Sequence, residues 1–259
     1  MLDLLPYFLL GIVAMTASFA TFFSGFGLGT LLLPVFAFFF SIEIAILATA
    51  MVHFINSIFK FSLTIRSIDL SILLRFGIAA GLGAGLGSFT MKLVGNHQIL
   101  FHYVVNNHKI EVEQISFIIG LLMLFFAGIE LIPSLKNKVF DKKWLPLGGL
   151  ISGFFGGFSG HQGALRSAFL SKTDIDQKIF IATSICMALI IDLIRVSFYF
   201  QGLDLNKLPV NMILFGCFFA LLGSILGKRY FDKKKNINIR AIVAIFLFAI
   251  GTGMVFGFI

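Results

Sequence analysis

Two glycine-rich breaks interrupt long apolar stretches of this chain and hold many of its candidate binding groups. The first break contains Gly27, Gly29 and Thr30, and the second contains Ser159, Gly160, His161, Gln162 and Gly163. Each break precedes an apolar segment, so each places free backbone N–H groups at the positive end of a helix dipole, which is an arrangement that binds anions. We therefore predict an anion site at the two breaks. The alternative is that these glycines only allow helices to pack closely.

The second break is also rich in side chains that donate hydrogen bonds. Ser159, His161 and Gln162 belong to it, and Arg166 follows Gln162 by one helical turn. A cation within an apolar stretch is costly and marks a candidate functional residue, although Arg166 could instead extend its charge to the membrane interface. His161 could contact the substrate or a gate, carry a proton, or only satisfy hydrogen bonds in the turn.

Four polar residues in later apolar segments are candidates for proton coupling or gating. They are His53, Asn56, Asp192 and Arg195. Asp192 and Arg195 are three residues apart and share one helix face, which suits an ion pair within the helix. The same spacing suits a working pair, in which Asp192 takes the coupling proton and Arg195 helps to hold an anion.

The sequence predicts neither a metal site nor a cofactor. His97, His102 and His108 lack the close spacing of metal ligands and have no cluster of carboxylates or thiolates beside them. The chain has no phosphate-binding loop of the kind found in nucleotide hydrolases. Its net charge of +8 is best explained by basic loops on the cytoplasmic side of a membrane, so we expect no nucleic-acid partner.

Composition indicates an integral membrane protein with several spanning helices. Hydrophobic residues make up 58% of the chain and charged residues 12%, against about 25% charged in soluble proteins. The apolar segments are 4–40, 44–65, 69–94, 113–135, 145–171, 177–201, 207–228 and 238–259. These segments position every candidate residue named above.

Basic residues predict the topology. The lysine-rich loops 136–143 and 228–240 should both face the cytoplasm, as should loop 60–69 with Lys60 and Arg66. The two lysine-rich loops can share a side if segment 145–171 enters the membrane and returns as a helical hairpin around its break. The same assumption for segment 4–40 gives a consistent map. The loop at 95–112 and both termini are then outside.

The two halves of the chain share sequence at a spacing of 134 residues. Gly29 matches Gly163, and Ala48-Thr49 matches Ala182-Thr183. Interrupted helices at matching places in two halves of a membrane protein indicate the substrate site of a secondary transporter. The matching positions differ in polarity between the two halves, since the polar His53 corresponds to the apolar Met187.

These observations predict an all-α polytopic membrane protein made of two inverted repeats. Residues 1–135 form the first repeat and residues 136–259 the second. Each repeat is expected to contain one glycine-broken helical hairpin and three transmembrane helices.

Longer stretches around both breaks resemble one known family. They are Gly25-Phe26-Gly27-Leu28-Gly29 followed by Pro34, and the run from Ser152 to Arg166 that reads SGFFGGFSGHQGALR. Two further segments match between the halves, Leu86-Gly87-Ser88 and Leu222-Gly223-Ser224. Together with these and the Ala-Thr match, the stretches are similar to the TauE/SafE family of sulfite exporters over nearly the whole chain. The resemblance implies a two-repeat transporter of sulfur-containing anions such as sulfite and sulfonates.

The function predicted from the sequence is secondary active transport of small anions of the sulfite or sulfonate type. We expect proton coupling, alternating access and a place in a bacterial inner membrane. Two alternatives are a passive anion channel and a polytopic membrane enzyme that uses Ser159, His161 or Asp192. The enzyme is disfavoured because no loop is long enough to form a catalytic domain.

Overall fold

The computed structural model describes residues 4–24, 28–95, 98–131, 142–170, 175–201, 205–232 and 240–259. The first half contains helices α1 (Leu5–Ser24), α2 (Leu28–Ala37), α3 (Ile42–Thr64), α4 (Leu70–Val94) and α5 (Gln114–Leu131). The second half contains α6 (Leu145–Ser159), α7 (Gln162–Leu170), α8 (Gln177–Tyr199), α9 (Val210–Asp232) and α10 (Arg240–Val255). The chain is thus a helical membrane protein. The inverted repeats and the number of spans stay predictions.

Both broken segments consist of a longer helix followed by a shorter one. Helices α1 and α2 have 20 and 10 residues, and α6 and α7 have 15 and 9. Gly160 ends α6 with φ at +84°, a left-handed conformation that glycine adopts without strain. Its N–H donates to the carbonyl of Gly156 at 3.0 Å. Gly27, in the first break, lies outside the described residues.

Four helices are long and apolar enough to cross a bilayer. They are Ile42–Ser67, Leu70–Val94, Gln177–Tyr199 and Val210–Tyr230. The last helix described in each half is shorter, with 18 residues in α5 and 16 in α10. At 1.5 Å per residue, these two helices are roughly 24–27 Å long, close to the thickness of a hydrocarbon core.

Glycines allow α6 to lie directly against α4. A Cβ atom added at Gly153 would lie 2.7 Å from Ala80 Cα, and one at Gly157 would lie 2.8 Å from Ala84 Cα. Side chains are excluded from this seam, so the two backbones touch, as small residues allow in membranes. Helices α1 and α9 pack in the same way, and α3 packs on α8.

The segment between α4 and α5 corrects the all-helical prediction. Strands β1 (Ile99–Val105) and β2 (His108–Glu113) pair in antiparallel fashion. Their turn consists of Asn106 and Asn107, both with positive φ, which is the conformation required by a two-residue type I′ hairpin turn. The β-branched and aromatic residues of β1 favour a strand, so the sequence did hold the signal.

Candidate functional site

The two breaks lie against each other inside the helix bundle. A Cβ atom at Gly29 would lie 3.7 Å from the carbonyl oxygen of Gly160, and 3.6 Å from both Thr49 Cγ2 and His53 Cδ2. The first turns of α2 and α7 are therefore neighbours, and the positive ends of their dipoles converge. Gly29, Thr30, Gly160 and Gly163 are all buried there.

Asp192 is the centre of a buried hydrogen-bond network that joins the two halves. Its Oδ2 contacts His53 Nδ1 and accepts a hydrogen bond from Ser57 Oγ at 3.3 Å. Its Oδ1 accepts from Arg195 Nε at 3.0 Å and lies 3.4 Å from Gln162 Nε2, which donates to it. The side chain of Asp192 is 0% exposed. Four side chains from three helices thus converge on one carboxylate, which has four lone-pair positions.

The predicted ion pair within α8 is present. Arg195 Nη2 lies 2.9 Å from Asp192 Oδ1, and both side chains are buried. The guanidinium also fills the space beside the second break, because a Cβ atom at Gly160 would lie 2.6 Å from Arg195 Nη1. Gly160 is therefore required both by its left-handed φ and by the position of Arg195.

Arg166 is buried within the protein. It is 3% exposed, and its Nη1 donates to Gln162 Oε1 at 3.2 Å. Because Gln162 in turn donates to Asp192, the second break is connected through Gln162 to charged residues on both of its sides. The burial of Arg166 and its hydrogen bond to Gln162 favour a role within the protein over a side chain that extends to water.

His161 is held firmly in the second break. Its Nδ1 lies 3.0 Å from Ser159 Oγ, and its ring stacks on Phe126 of α5 with centroids 5.4 Å apart. Its Nε2 is buried and has no hydrogen-bond partner among the described residues. A buried polar atom of this kind needs a water or a ligand, so the contacts are compatible with a role in binding.

Asn56 belongs to a neighbouring polar cluster that sequence reasoning missed. In the amide orientation that satisfies its neighbours, the oxygen accepts from Lys60 Nζ at 3.2 Å and the nitrogen donates to Ser224 Oγ at 2.6 Å. Ser224 Oγ lies 2.7 Å from Ser18 Oγ. Ser18 and Ser224 were hard to single out because lone serines are common in membrane helices, and only packing brings these two together.

The structure places Lys60 in helix α3 and not in the loop that the sequence predicted. The sequence placed it in a cytoplasmic loop over 60–69, whereas α3 continues to Thr64. Lys60 is 2% exposed and its Nζ donates to the carbonyl oxygen of Ser18 at 3.0 Å. Its position one turn after Asn56, on the same helix face, was the available signal.

A small cavity lies beside these groups, between α3, α7 and α8. Its polar lining consists of His53, Asn56, Ser57, Lys60, Arg166 and Ser184. Its volume of about 20 Å³ is enough for roughly one water molecule. In this conformation the cavity is therefore smaller than a hydrated anion.

The family comparison agrees with the resemblance noted in the sequence. The model of the sulfite exporter TauE/SafE family matches residues 10–254. The chain belongs to the sulfite exporter TauE/SafE family. A search of curated proteins found no match.

Membership in the TauE/SafE family indicates membrane transport of sulfur anions. The buried cluster around Asp192 and Arg166 is the polar feature of this TauE/SafE protein that such transport could use. Within the described residues, no group of three or more His, Cys, Asp or Glu side chains could hold a metal ion.

Proposed function

We propose that this protein is a secondary active transporter of small anions of the sulfite type, which it binds where the two glycine-rich breaks meet. The observation that supports this most strongly is the charge of the buried cluster. The buried charged residues in the described parts of the chain are Lys60, Arg166, Arg195 and Asp192. Three positive charges and one negative charge give a formal sum of +2.

A buried cluster with excess positive charge favours an anion. Burying ionised groups away from water is costly, and a bound anion would offset the formal positive charge of the cluster. The converging starts of α2 and α7 add backbone N–H donors and helix dipoles of the same sign. This anion site would be lined by Gly29, Thr30, Ser159, His161, Gln162 and Gly163; the role predicted for Gly27 lies outside the described residues.

We further propose that the pair of His53 and Asp192 serves proton coupling. Asp192 Oδ2 contacts His53 Nδ1, and His53 also lines the cavity. An imidazole oriented by a carboxylate can accept a proton at its other nitrogen, because the carboxylate compensates the new charge. His53 is therefore suited to take a proton close to the anion.

Alternating access between two inverted halves is the proposed mechanism. The contact pattern supports it. When the first to fifth helices of one half are matched with those of the other, the contact of α1 with α9 corresponds to the contact of α6 with α4. The contact of α3 with α8 corresponds to itself. This is the pattern that a pseudo-two-fold axis through the contact of α3 and α8 would produce. The small volume of the cavity suits a closed stage of such a cycle.

The test is uptake of ³⁵S-labelled sulfite by proteoliposomes that contain the purified protein, with oxygen excluded to prevent oxidation to sulfate. We expect saturable uptake that depends on an imposed pH gradient and is reduced by unlabelled sulfite. Empty liposomes and a gradient collapsed by a protonophore are the controls.

Other outcomes separate the remaining alternatives. Sulfite flux that rises linearly with concentration and ignores the pH gradient would indicate a channel. Absence of sulfite flux in sealed proteoliposomes that contain folded protein would contradict sulfite as the substrate. Competition by sulfonates would indicate how large a group on sulfur the site accepts.

A further inference from the structure

The cavity contains a buried hydroxyl that belongs to neither glycine-rich break. Ser184 lines the cavity and is 3% exposed. Its Oγ has no hydrogen-bond partner within the described part of the chain. A hydroxyl on a membrane helix normally donates to the carbonyl four residues earlier, as Ser197 does to Leu193 on the same helix at 2.8 Å. Ser184 is therefore available to a ligand.

Two cations line the same cavity from different helices. Lys60 belongs to α3 and Arg166 to α7, while Ser184 belongs to α8. Ser57 lies one turn before Lys60 and adds a second hydroxyl. The remaining wall is apolar and includes Ile181, Ile185 and Ala188. Two charged donors and two hydroxyls from three helices line this small space, and with an apolar wall beside them they form a suitable environment for a compact anion.

We propose that Lys60, Arg166 and Ser184 form an oxyanion subsite that adjoins the glycine-rich breaks and extends further along α3. This inference rests on the proposed function and assigns it a second binding position. Lys60 and Arg166 supply the charge, and Ser184 donates a hydrogen bond to an anion oxygen. Lys60 is seven residues from His53, so the subsite extends about 10 Å from the first break along the helix.

The subsite lies near the end of the helix bundle. The backbone N–H of Asp69, in the turn between α3 and α4, donates to Thr183 Oγ1 at 3.0 Å. Ser184 is the next residue, so only a short distance separates the cavity from this turn. We predicted from the nearby basic residues that the turn faces the cytoplasm. An anion in the subsite would therefore be located between the glycine-rich breaks and the cytoplasm.

The geometry also selects the class of ligand. A space of about 20 Å³ has to enlarge for any anion, and a compact inorganic oxyanion needs the smallest enlargement. The donors surround the space, so a ligand with several oxygen atoms can satisfy more of them than a halide can. Sulfite meets both requirements, and a sulfonate with a long organic group does not.

The experiment compares matched serine variants on α8. Ser184→Ala removes the proposed ligand, and Ser197→Ala removes an exposed hydroxyl from the same helix. We expect Ser184→Ala to raise the KM for ³⁵S-sulfite about tenfold, as loss of one hydrogen bond to a charged group predicts. Ser197→Ala should keep the wild-type KM. Wild-type KM in Ser184→Ala would overturn the inference.

Two substitutions of Lys60 test the contribution of charge. Lys60→Met should reduce kcat/KM for sulfite at least tenfold, and Lys60→Arg should retain most of it. If Lys60→Met fails to fold, the kinetics of Lys60→Arg and Ser184→Ala still test the proposed subsite. Equal kinetics for methionine and arginine at this position would contradict an electrostatic role.

A binding measurement separates this inference from the proposed function. Sulfite should raise the unfolding temperature of the purified wild-type protein in detergent, and the shift should decrease in Ser184→Ala. That result without any sulfite flux in proteoliposomes would support the subsite and contradict transport. Flux with wild-type KM in every variant would support transport and contradict the subsite. Neither flux nor a shift in the wild type would overturn both.

Discussion

At the level of single residues, the second break depends on one chain of contacts from Arg166 through Gln162 to Asp192. Arg166 donates to Gln162 Oε1 at 3.2 Å, and Gln162 Nε2 donates to Asp192 at 3.4 Å. The side-chain amide of Gln162 thus accepts a hydrogen bond from Arg166 and donates one to the carboxylate of Asp192. Loss of the Arg166 or the Gln162 side chain should alter the anion site more than the fold, because neither residue belongs to the apolar core.

The variants Arg166→Ala and Gln162→Ala should therefore transport sulfite more weakly. We expect at least a tenfold decrease in kcat/KM for Arg166→Ala, since a charged hydrogen-bond donor is lost, and a smaller decrease for Gln162→Ala. The measurement is proteoliposome uptake at equal protein content. Arg75→Ala is the control, because Arg75 is exposed on α4. Wild-type transport by both test variants would exclude this break as the anion site.

Asp192→Asn should reduce proton coupling while anion binding persists. Asparagine cannot take up a proton, and its neutral amide no longer compensates the charge of a protonated His53. The measurement is sulfite uptake with and without a pH gradient, and we expect the stimulation by the gradient to be lost.

The same substitution leaves Arg195 without its carboxylate, which is destabilising for a buried ion pair. The double variant Asp192→Asn with Arg195→Gln controls for that effect. An unchanged response to the gradient would show that Asp192 is only a structural partner of Arg195.

At the level of elements, the seam between α4 and α6 depends on glycine at particular positions. A Cβ atom at Gly83 would lie 2.9 Å from Phe154 N, whereas one at Gly85 would have nothing within 4 Å. Gly83→Ala should lower the free energy of unfolding by about 1–3 kcal/mol, because it overpacks the seam. Gly85→Ala should be neutral or slightly stabilising, since alanine favours helix.

Thermal unfolding of both purified variants in detergent checks this expectation. The two substitutions are chemically identical and two residues apart on one helix, so they differ only in the face that they occupy. Equal unfolding temperatures for both variants would indicate that α4 and α6 are not in backbone contact.

The sequence predicted the helices well because each one is visible in its own residues. Apolar runs located the helices, and Gly160 marked the end of α6. The hairpin was missed because membrane composition dominated the interpretation of 95–112, although the positive φ at Asn106 and Asn107 suits asparagine.

The site was predicted only in part, because pairing between helices is not encoded within one helix. His53 and Asp192 were both candidates, yet nothing in the sequence showed that they would touch across 139 residues. Lys60 was taken for a loop residue because it and Arg66 are the basic residues of the stretch 60–69, and basic residues mark cytoplasmic loops. Ser184 was not distinguished from other serines, since only the packed structure shows that its hydroxyl faces a cavity.

At the level of the whole molecule, α4 is long and apolar enough to carry the chain from one side of a bilayer to the other. Its 25 residues span roughly 38 Å, more than the hydrocarbon thickness. Arg66 precedes it and Asn106 follows it, and both are exposed. The predicted orientation has Arg66 inside and Asn106 outside.

Cysteine labelling tests this orientation. In a background of Cys186→Ala and Cys217→Ala, Asn106→Cys should react with a membrane-impermeant maleimide in intact cells. Arg66→Cys should react only after permeabilisation. The reverse pattern would invert the topology, and reaction of both in intact cells would contradict a spanning α4.

The buried excess of positive charge also bears on the membrane potential. A divalent anion would bring the formal charge of the cluster from +2 to zero, so the loaded protein would hold no net charge in its centre. The empty cluster retains its charge, and each elementary charge moved through 100 mV changes the free energy by about 2.3 kcal/mol. In a version of the proposed cycle in which no proton is bound together with the divalent anion, the return of the empty protein would be the electrogenic part. Exchange of one anion for another, which omits that return, should be insensitive to voltage.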